Sequence, residues 1–216
     1  MEKNNKIIEK DYEFKKKYFH ETKGVNMNDI KITVQGEYSI SNTKASDKLV
    51  YLIKKYFKSN DLVITDGTGN NGSDTIALGL SFKHINSIEL DPINFSVLEN
   101  NVKSVYKLDN VELFSGDSIQ VIPTLKQDVI YLDAPWGGRD YGKESRLGLY
   151  LGKYEISDIY NKFKSNTKLF VFKVPKNYDF THFIQNTKLD KYYIHSFRQG
   201  DNVKFYFLFV PCDYKK

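Results

Sequence analysis

The chain of 216 residues is poor in several residue types, and each scarcity excludes a class of protein. Its single cysteine, Cys212, cannot form an internal disulfide bond, and its four scattered histidines lack the spacing of a zinc site. No apolar run approaches the roughly 18 residues of a membrane-spanning helix, and no secretory signal is visible at the N terminus. We therefore expect an intracellular, soluble protein without a metal and without membrane association.

Arginine and tryptophan are rare as well. Only three of the 32 basic residues are arginine, and the only tryptophan is Trp136. The lysines leave a net charge of +5, which suits an anionic ligand such as a nucleotide or RNA, although a solubilising role explains most of them. With 40% hydrophobic and 15% aromatic residues, the composition is that of one globular domain with a full core.

The first 58 residues differ in pattern from the rest of the chain. They predict an amphipathic helix over residues 7–19, an extended piece over 30–34, and a helix from Asn42 or Thr43 to Phe57. From Asp61 onward, short apolar runs alternate with helical segments, which is typical of an α/β fold. We therefore predict an N-terminal helical extension (residues 1–58) that contributes to the substrate or cofactor site, followed by a core domain over residues 59–216.

Four acidic residues stand at the ends of predicted strands in that core. Asp66, Glu89 and Asp117 follow the first three strands, and Asp133 follows the fourth. The carboxyl ends of parallel strands share one edge of the sheet, where α/β proteins bind ligands, and an acid after the second strand is placed to accept from both ribose hydroxyls. Each acid alone also has a structural role open to it, as a helix cap or a solvated strand end. Their order and spacing predict an S-adenosylmethionine site.

Glycines strengthen this prediction, because they let the backbone after the first strand pass close to a ligand. The loop is not the G-x-G-x-x-G form of a dinucleotide site, and no residues are placed to move a hydride, which disfavours a dehydrogenase. The predicted cofactor-binding residues are Asp66, Gly67, Thr68, Gly69, Glu89, Asp117, Ser118 and Asp133.

The segment from Leu132 to Tyr141 is the most informative part of the chain. A buried strand delivers Asp133, then Pro135 and Trp136, to the ligand-binding edge. An acidic or polar residue followed by Pro-Pro-Trp, or a near variant, is how methyltransferases that act on exocyclic amines of bases hold their target. Trp136 is placed to stack on a flat base, and Asp133 is placed to meet its amine hydrogens. The segment predicts that these two residues are catalytic; the alternative is a surface turn with a packed tryptophan.

The end of the chain completes the predicted sheet. A strong strand over residues 169–174 precedes an antiparallel hairpin of two strands, 192–197 and 205–210. The polar, tyrosine-rich segment 142–154 is predicted to be a mobile flap. The layout predicts a class I S-adenosylmethionine-dependent methyltransferase: a doubly wound α/β sheet of seven strands in the order 3-2-1-4-5-7-6, the last one antiparallel.

Three segments, in order, resemble the trimethylguanosine synthases, the RNA cap enzymes that methylate N2 of 7-methylguanosine. Ala134 to Tyr141 is similar to the family's Pro-Pro-Trp-Gly-Gly-Pro-Asp-Tyr. Residues 30–40 are similar to its Ile-Lys-Leu…Gly-Trp-Phe-Ser-Val, and Val174 to Asn177 to its Leu-Pro-Arg-Asn. The likeness spans about residues 30 to 210, and the chain looks like a compact or viral member of the family.

The resemblance implies a function. Trp136 would stack on the 7-methylguanine, Lys44 and Lys176 would contact the cap phosphates, and Asp133 would orient the amine or take its proton. The substrate-binding residues are then Lys44, Trp136, Tyr141, Lys176 and Asn177. The expected partner is 7-methylguanosine-capped RNA or a cap analogue. The protein is expected to be a monomer of the cytoplasm or nucleus, or of a viral factory if it is viral.

Several positions depart from the family, and four of them bear on the implied function. Asp133 stands where the family has Ser, Ala134 where it has Pro, Glu37 where it has Trp, and Lys176 where it has Arg. Because Asp-Pro-Pro-Trp is typical of adenine-N6 methyltransferases, an N6-adenine methyltransferase acting on RNA or DNA stays open. Glu37 and the unusual loop after Asp66 leave a further alternative open, a catalytically silent subunit that binds capped RNA.

Overall fold

The computed structural model of the protein describes residues 5–212. The chain divides into two compact units, the first ending at Asp117 and the second beginning at Ser118. Within residues 5–212, no helix is both long enough and apolar enough to cross a membrane.

The described part of the first unit, residues 5–117, contains five strands and five α-helices. The strands are β1 (Ile7–Ile8), β2 (Ile32–Thr33), β3 (Val63–Asp66), β4 (His84–Glu89) and β5 (Val111–Ser115). The helices are α1 (Tyr12–Tyr18), α2 (Val34–Ser39), α3 (Thr43–Phe57), α4 (Ser73–Gly79) and α5 (Pro92–Glu99). A short 3-10 helix spans Met27–Asp29, and α5 continues as a π-helix over Asn100–Val105.

Local signals set the helix starts of this unit. The Asn42 side chain accepts a hydrogen bond from the Ala45 backbone (3.0 Å), which confirms Asn42 as the cap of α3. Pro92 occupies the first turn of α5, where its missing N–H costs nothing, and Asp91 caps that helix. Helix α3 then buries one face of apolar side chains, with Leu49 and Ile53 fully buried.

The N-terminal region departs from the sequence-based expectation at two points. Ile7 and Ile8 do not begin a helix; they form β1, which pairs antiparallel with β2. Helix α1 starts only at Tyr12, because Asp11 accepts from the Phe14 backbone (2.7 Å) and caps it. The residues after Thr33 are helical rather than extended, since the Thr33 hydroxyl accepts from the Gly36 backbone (2.9 Å).

The second unit contains six strands and three helices within its described residues. The strands are β6 (Val129–Leu132), β7 (Tyr150–Leu151), β8 (Tyr154–Glu155), β9 (Leu169–Pro175), β10 (Tyr193–Gln199) and β11 (Asn202–Pro211). The helices are α6 (Ser118–Val121), α7 (Ile156–Phe163) and α8 (Phe180–Thr187). Sequence reasoning missed α8. In the segment predicted as a flap, β7 and β8 form a small ribbon and Leu149 is fully buried.

The two units contribute to a seven-stranded mixed sheet. The first unit provides β5, β4 and β3 in that order, all parallel. The second provides β6, β9, β11 and β10, with β6 parallel to β9 and with β11 antiparallel to both of its neighbours. These orders confirm the predicted class I arrangement. Every residue of β6 and β9 is buried, as expected for central strands covered on both faces.

Candidate active site

The loop after β3 is organised by the Asp66 side chain. Its carboxylate accepts from the Thr68 backbone (3.1 Å) and from the Thr75 hydroxyl (2.6 Å). The Thr75 hydroxyl also lies 2.8 Å from that of Ser87. Asp66 is only 1% exposed. These hydrogen bonds to a buried carboxylate therefore hold the loop in place.

Gly69 is the point at which this loop approaches β4. Its backbone N–H donates to the Ile88 carbonyl (2.8 Å), and a Cβ here would meet the Ser87 hydroxyl at 2.5 Å. Only glycine fits so close a backbone approach. The next residue, Asn70, has a φ of 48°, a left-handed conformation that asparagine adopts more readily than most residues.

Glu89, at the end of β4, is joined to this loop. Its two carboxylate oxygens accept from the backbones of Asn70 and Asp91, each at 2.7 Å. Burial raises the pKa of the Glu89 carboxyl, while the backbone donors of Asp91 and Asn70 oppose the shift. The carboxylate of a half-buried acid is thus held at the strand end, with two donors fixing its orientation.

Asp117 follows β5 at the same edge, after Gly116. The Gly116 backbone donates to the Glu89 carbonyl (3.0 Å), and Glu89 lies opposite Ser115 in the parallel register. The structure thus brings together the predicted residues Asp66, Gly67, Thr68, Gly69, Glu89 and Asp117. Ser118 is the first residue of α6 in the second unit and is 7% exposed.

The N-terminal extension is attached to the loop after β3 by a buried amide network that sequence reasoning missed. Asn71 accepts from the Thr33 backbone (2.8 Å), and the Thr33 hydroxyl donates to Asn94 (2.8 Å). Nearby, the Asn70 side chain donates to the Ser39 hydroxyl (2.8 Å). Since buried amides need partners, these bonds hold α2 against the loop. The cluster of asparagines was the available signal.

Lys44 lies exposed in the first turn of α3. That turn is tied to α4, because Ser41 and Ser46 both donate to the Asp74 carboxylate at 2.6 Å. The first turn of α3, which carries Lys44, is therefore held in place by these hydrogen bonds. Glu37, which stands where the family has tryptophan, forms an ion pair with Lys10.

In the second unit, Asp133 follows β6 and pairs with a lysine that sequence reasoning missed. The Lys173 ammonium lies 2.6 Å from the Asp133 carboxylate, and Lys173 is only 5% exposed. The parallel register puts Leu132 opposite Phe172, so the next residues along the two strands are neighbours. The signal was a lone lysine within the apolar run of β9.

Trp136 lies among aromatic and cationic groups. Its ring centroid is 5.1 Å from that of Tyr141, edge to face, and 6.1 Å from that of Phe205. The Lys173 ammonium lies 5.6 Å from the indole centroid. The indole N–H is buried without a hydrogen-bond partner among the described residues.

The predicted substrate residues after β9 differ in their surroundings. Lys176 is exposed. The Asn177 side chain donates to the carbonyls of Tyr141 (2.9 Å) and Glu144 (2.8 Å), so it anchors the segment that follows the tryptophan. Its amide oxygen is buried with no partner among residues 5–212. The structure thus brings Asp133, Trp136, Tyr141 and Asn177 into one region and leaves Lys176 on the surface.

Comparison with known proteins assigns the chain to a family. The family model for RNA cap guanine-N2 methyltransferase matches residues 62–213. The chain belongs to this family. A curated relative, uncharacterized protein L320 of Acanthamoeba polyphaga mimivirus, is 34% identical over 132 residues, which is 59% of this chain and 51% of that protein. Ribosomal protein L11 methyltransferase of Clostridium perfringens is 30% identical over 81 residues, which is 38% of this chain and 25% of that protein.

Solved structures support the same fold. A human methyltransferase 10 domain containing protein has a TM-score of 0.61 at 12% identity, covering 81% of this chain and 85% of that one. A ribosomal RNA methylase of Streptococcus thermophilus has a TM-score of 0.53 at 10% identity, covering 78% and 94%. At these identities the likeness shows the fold alone.

This member of the RNA cap guanine-N2 methyltransferase family therefore combines two sets of residues. In the first unit, a glycine-containing loop and three acidic strand ends lie at one edge of the parallel strands. In the second, a tryptophan lies beside a buried lysine–aspartate pair. No group of three or more His, Cys, Asp or Glu side chains that could hold a metal is found among residues 5–212.

Proposed function

We propose that this methyltransferase transfers a methyl group from S-adenosylmethionine to N2 of a 7-methylguanosine RNA cap. The observation that carries the proposal is that the Trp136 ring and the Asp133 carboxylate, both after β6, lie around the same Lys173 ammonium, in a chain of this family. A stacking ring beside an amine acceptor is suited to a planar base with an exocyclic amine.

The residues of the first unit fit the cofactor. The Glu89 carboxylate keeps acceptor capacity beyond its two bonds to the backbones of Asn70 and Asp91, which suits ribose hydroxyls. The amide oxygen of Asn70 is buried without a partner among the described residues, so it offers a further acceptor. The proposed cofactor-binding residues remain Asp66, Gly67, Thr68, Gly69, Glu89, Asp117, Ser118 and Asp133. When bound, S-adenosylmethionine would supply an activated methyl group: the N2 lone pair would form the new N–C bond as the sulfonium S–C bond breaks, S-adenosylhomocysteine would leave, and the amine would lose a proton.

The residues of the second unit hold and orient the base. Trp136 stacks on the 7-methylguanine, whose positive charge adds a cation–π attraction of about 1–2 kcal/mol when desolvated. Asp133 accepts a hydrogen bond from the N2 amine and turns its lone pair toward the methyl donor. Because the N7 methyl group already acidifies the N2 protons, alignment contributes more than a strong base would.

The cap triphosphate is assigned to two lysines. Lys44 and Lys176 are both exposed, so each is available as a point charge for phosphate. Asn177 supports the base site indirectly, by holding the backbone of Tyr141 and Glu144.

One observation favours a second candidate. Asp133 in place of serine is typical of adenine-N6 methyltransferases, and its carboxylate is an acceptor for the amine of either base. The two candidate activities use the same residues but differ in the base that is methylated, guanine or adenine.

The deciding measurement is the product mass after incubation of the full chain with S-adenosylmethionine and a nucleotide. Methylated 7-methyl-GTP, with GTP converted much more slowly, would support the cap activity. Methylation of an adenine oligonucleotide, with 7-methyl-GTP unchanged, would support the second candidate.

Trp136→Ala should lower turnover by about a hundredfold or more, because the base is no longer aligned, with cofactor affinity within a few-fold of wild type. A chain that releases no heat when titrated with S-adenosylmethionine would be a silent subunit.

A further inference from the structure

Lys173 is a buried cation in the core of the second unit. It lies in β9, all of whose residues are buried, and its side chain is 7% exposed. Such a charge is costly unless it is paired, and the Asp133 carboxylate at 2.6 Å provides the pairing. The two side chains therefore form a unit with no net charge.

The same ammonium lies close to two aromatic rings. Its nitrogen is 5.6 Å from the centroid of Trp136 and 5.1 Å from that of Phe205. A fixed cation at this distance already interacts with the quadrupole of the indole. A second cation stacked on Trp136 would be repelled by this ammonium and attracted by the Asp133 carboxylate.

We infer that Lys173 determines how strongly the base site discriminates between cationic and neutral guanine. This inference rests on the proposed function and identifies the residue that sets the preference for the cationic base. With Lys173 present, the charge of Asp133 is cancelled. A 7-methylguanine then binds more tightly than neutral guanine only through its stronger stacking on Trp136. Without Lys173, the Asp133 carboxylate would attract the positive charge of 7-methylguanine but not neutral guanine.

The test is the ratio of the dissociation constants of GTP and 7-methyl-GTP, because both carry the same triphosphate. Trp136 is the only tryptophan, so quenching of the intrinsic fluorescence reports the stacked base directly. Lys173→Met should raise the ratio by about tenfold or more, and Asp133→Asn, which removes the negative charge of the pair, should lower it. The double variant Asp133→Asn/Lys173→Met should return it to within about threefold of wild type, since both charges are gone.

The chain offers a matched control. Lys168 and Asp128 form a pair with the same 2.6 Å separation, just before the same two strands, but its lysine side chain is 45% exposed. Lys168→Met should leave the ratio unchanged. If Lys173→Met does not fold, Asp133→Asn and the double variant still decide: the first must lower the ratio and the second must restore it.

Three results would overturn the inference and are distinguishable. A ratio that stays at the wild-type value in folded variants, while 7-methyl-GTP still binds, would remove the role of Lys173 and leave the proposed function standing. Ratios that move in the same direction in both single variants would show that geometry, not charge, is responsible. A folded wild-type chain that binds neither nucleotide would overturn the proposed function and the inference together.

Discussion

Two lysine–aspartate pairs stand at opposite ends of the same two parallel strands. Asp128 and Lys168 precede β6 and β9, while Asp133 follows β6 beside Lys173. In both pairs the ammonium lies 2.6 Å from the carboxylate. The lysine side chains are 45% exposed at the first end and 7% exposed at the second.

The difference lies in what surrounds each pair. The exposed pair is screened by water and is worth little, as is usual for surface ion pairs. The buried pair lies beside Trp136 and Phe205, where its charges act in a low dielectric. A lysine and an aspartate therefore form a surface ion pair at one end of the strands and part of the candidate base site at the other end.

The largest expected effect is on stability, and it separates the two pairs. Lys173→Met should lower the free energy of unfolding by about 3 kcal/mol, because it removes the cation that lies against the partly buried Asp133 carboxylate. Lys168→Met should change it by less than about 1 kcal/mol. Urea denaturation followed by circular dichroism measures both. Equal losses in the two variants would mean that the buried pair is hydrated and that the comparison fails.

A second test extends the comparison to the two ends of β4. Glu89→Ala at the carboxyl end should weaken S-adenosylmethionine binding by about tenfold or more, because each charge-assisted hydrogen bond is worth roughly 1.5–3 kcal/mol. His84→Ala at the opposite end, where the imidazole lies 3.9 Å from Glu112, should leave the affinity unchanged. Titration calorimetry on the folded variants distinguishes them. Unchanged affinity in Glu89→Ala would remove Glu89 from the cofactor site.

The pH dependence of that affinity sharpens the assignment. Burial raises the pKa of the Glu89 carboxyl, and the ionised form is the stronger acceptor for the ribose hydroxyls. Cofactor affinity should therefore fall on acidification at a higher pH than it would for a carboxyl of ordinary pKa, which titration calorimetry at a series of pH values measures.

The smallest expected effect concerns the phosphates. Lys176→Ala should reduce, by a few-fold, the preference for 7-methyl-GTP over 7-methylguanosine, and should weaken the salt dependence of binding because one screened charge is removed. Lys168→Ala serves as the control, since this lysine stands at the other end of β9. If Lys176→Ala keeps the wild-type preference, Lys176 is only surface charge and Lys44 needs its own test.

Most of the sheet could be predicted from the sequence, because its signals are local. The apolar runs of β3 and β9 end at acids, glycines or prolines, and the last two strands meet at a short turn. The N-terminal region could not be predicted in the same way. Ile7 and Ile8 fit the apolar periodicity of a helix, but they pair with Ile32 and Thr33, which are distant in sequence.

For the candidate site, the sequence by itself determined which chemical groups stand at the strand ends. Asp133 and Trp136 follow a buried strand, and strand polarity alone brings them to the ligand-binding edge. Only the tertiary structure decided that Asp133 has a cationic partner. Lys173 is 40 positions away, and the parallel register of β6 and β9 makes the two neighbours. A lone lysine in an apolar strand indicates that a partner of opposite charge exists, because an unpaired buried charge is too costly. The identity of that partner depends on which strands are neighbours in the sheet.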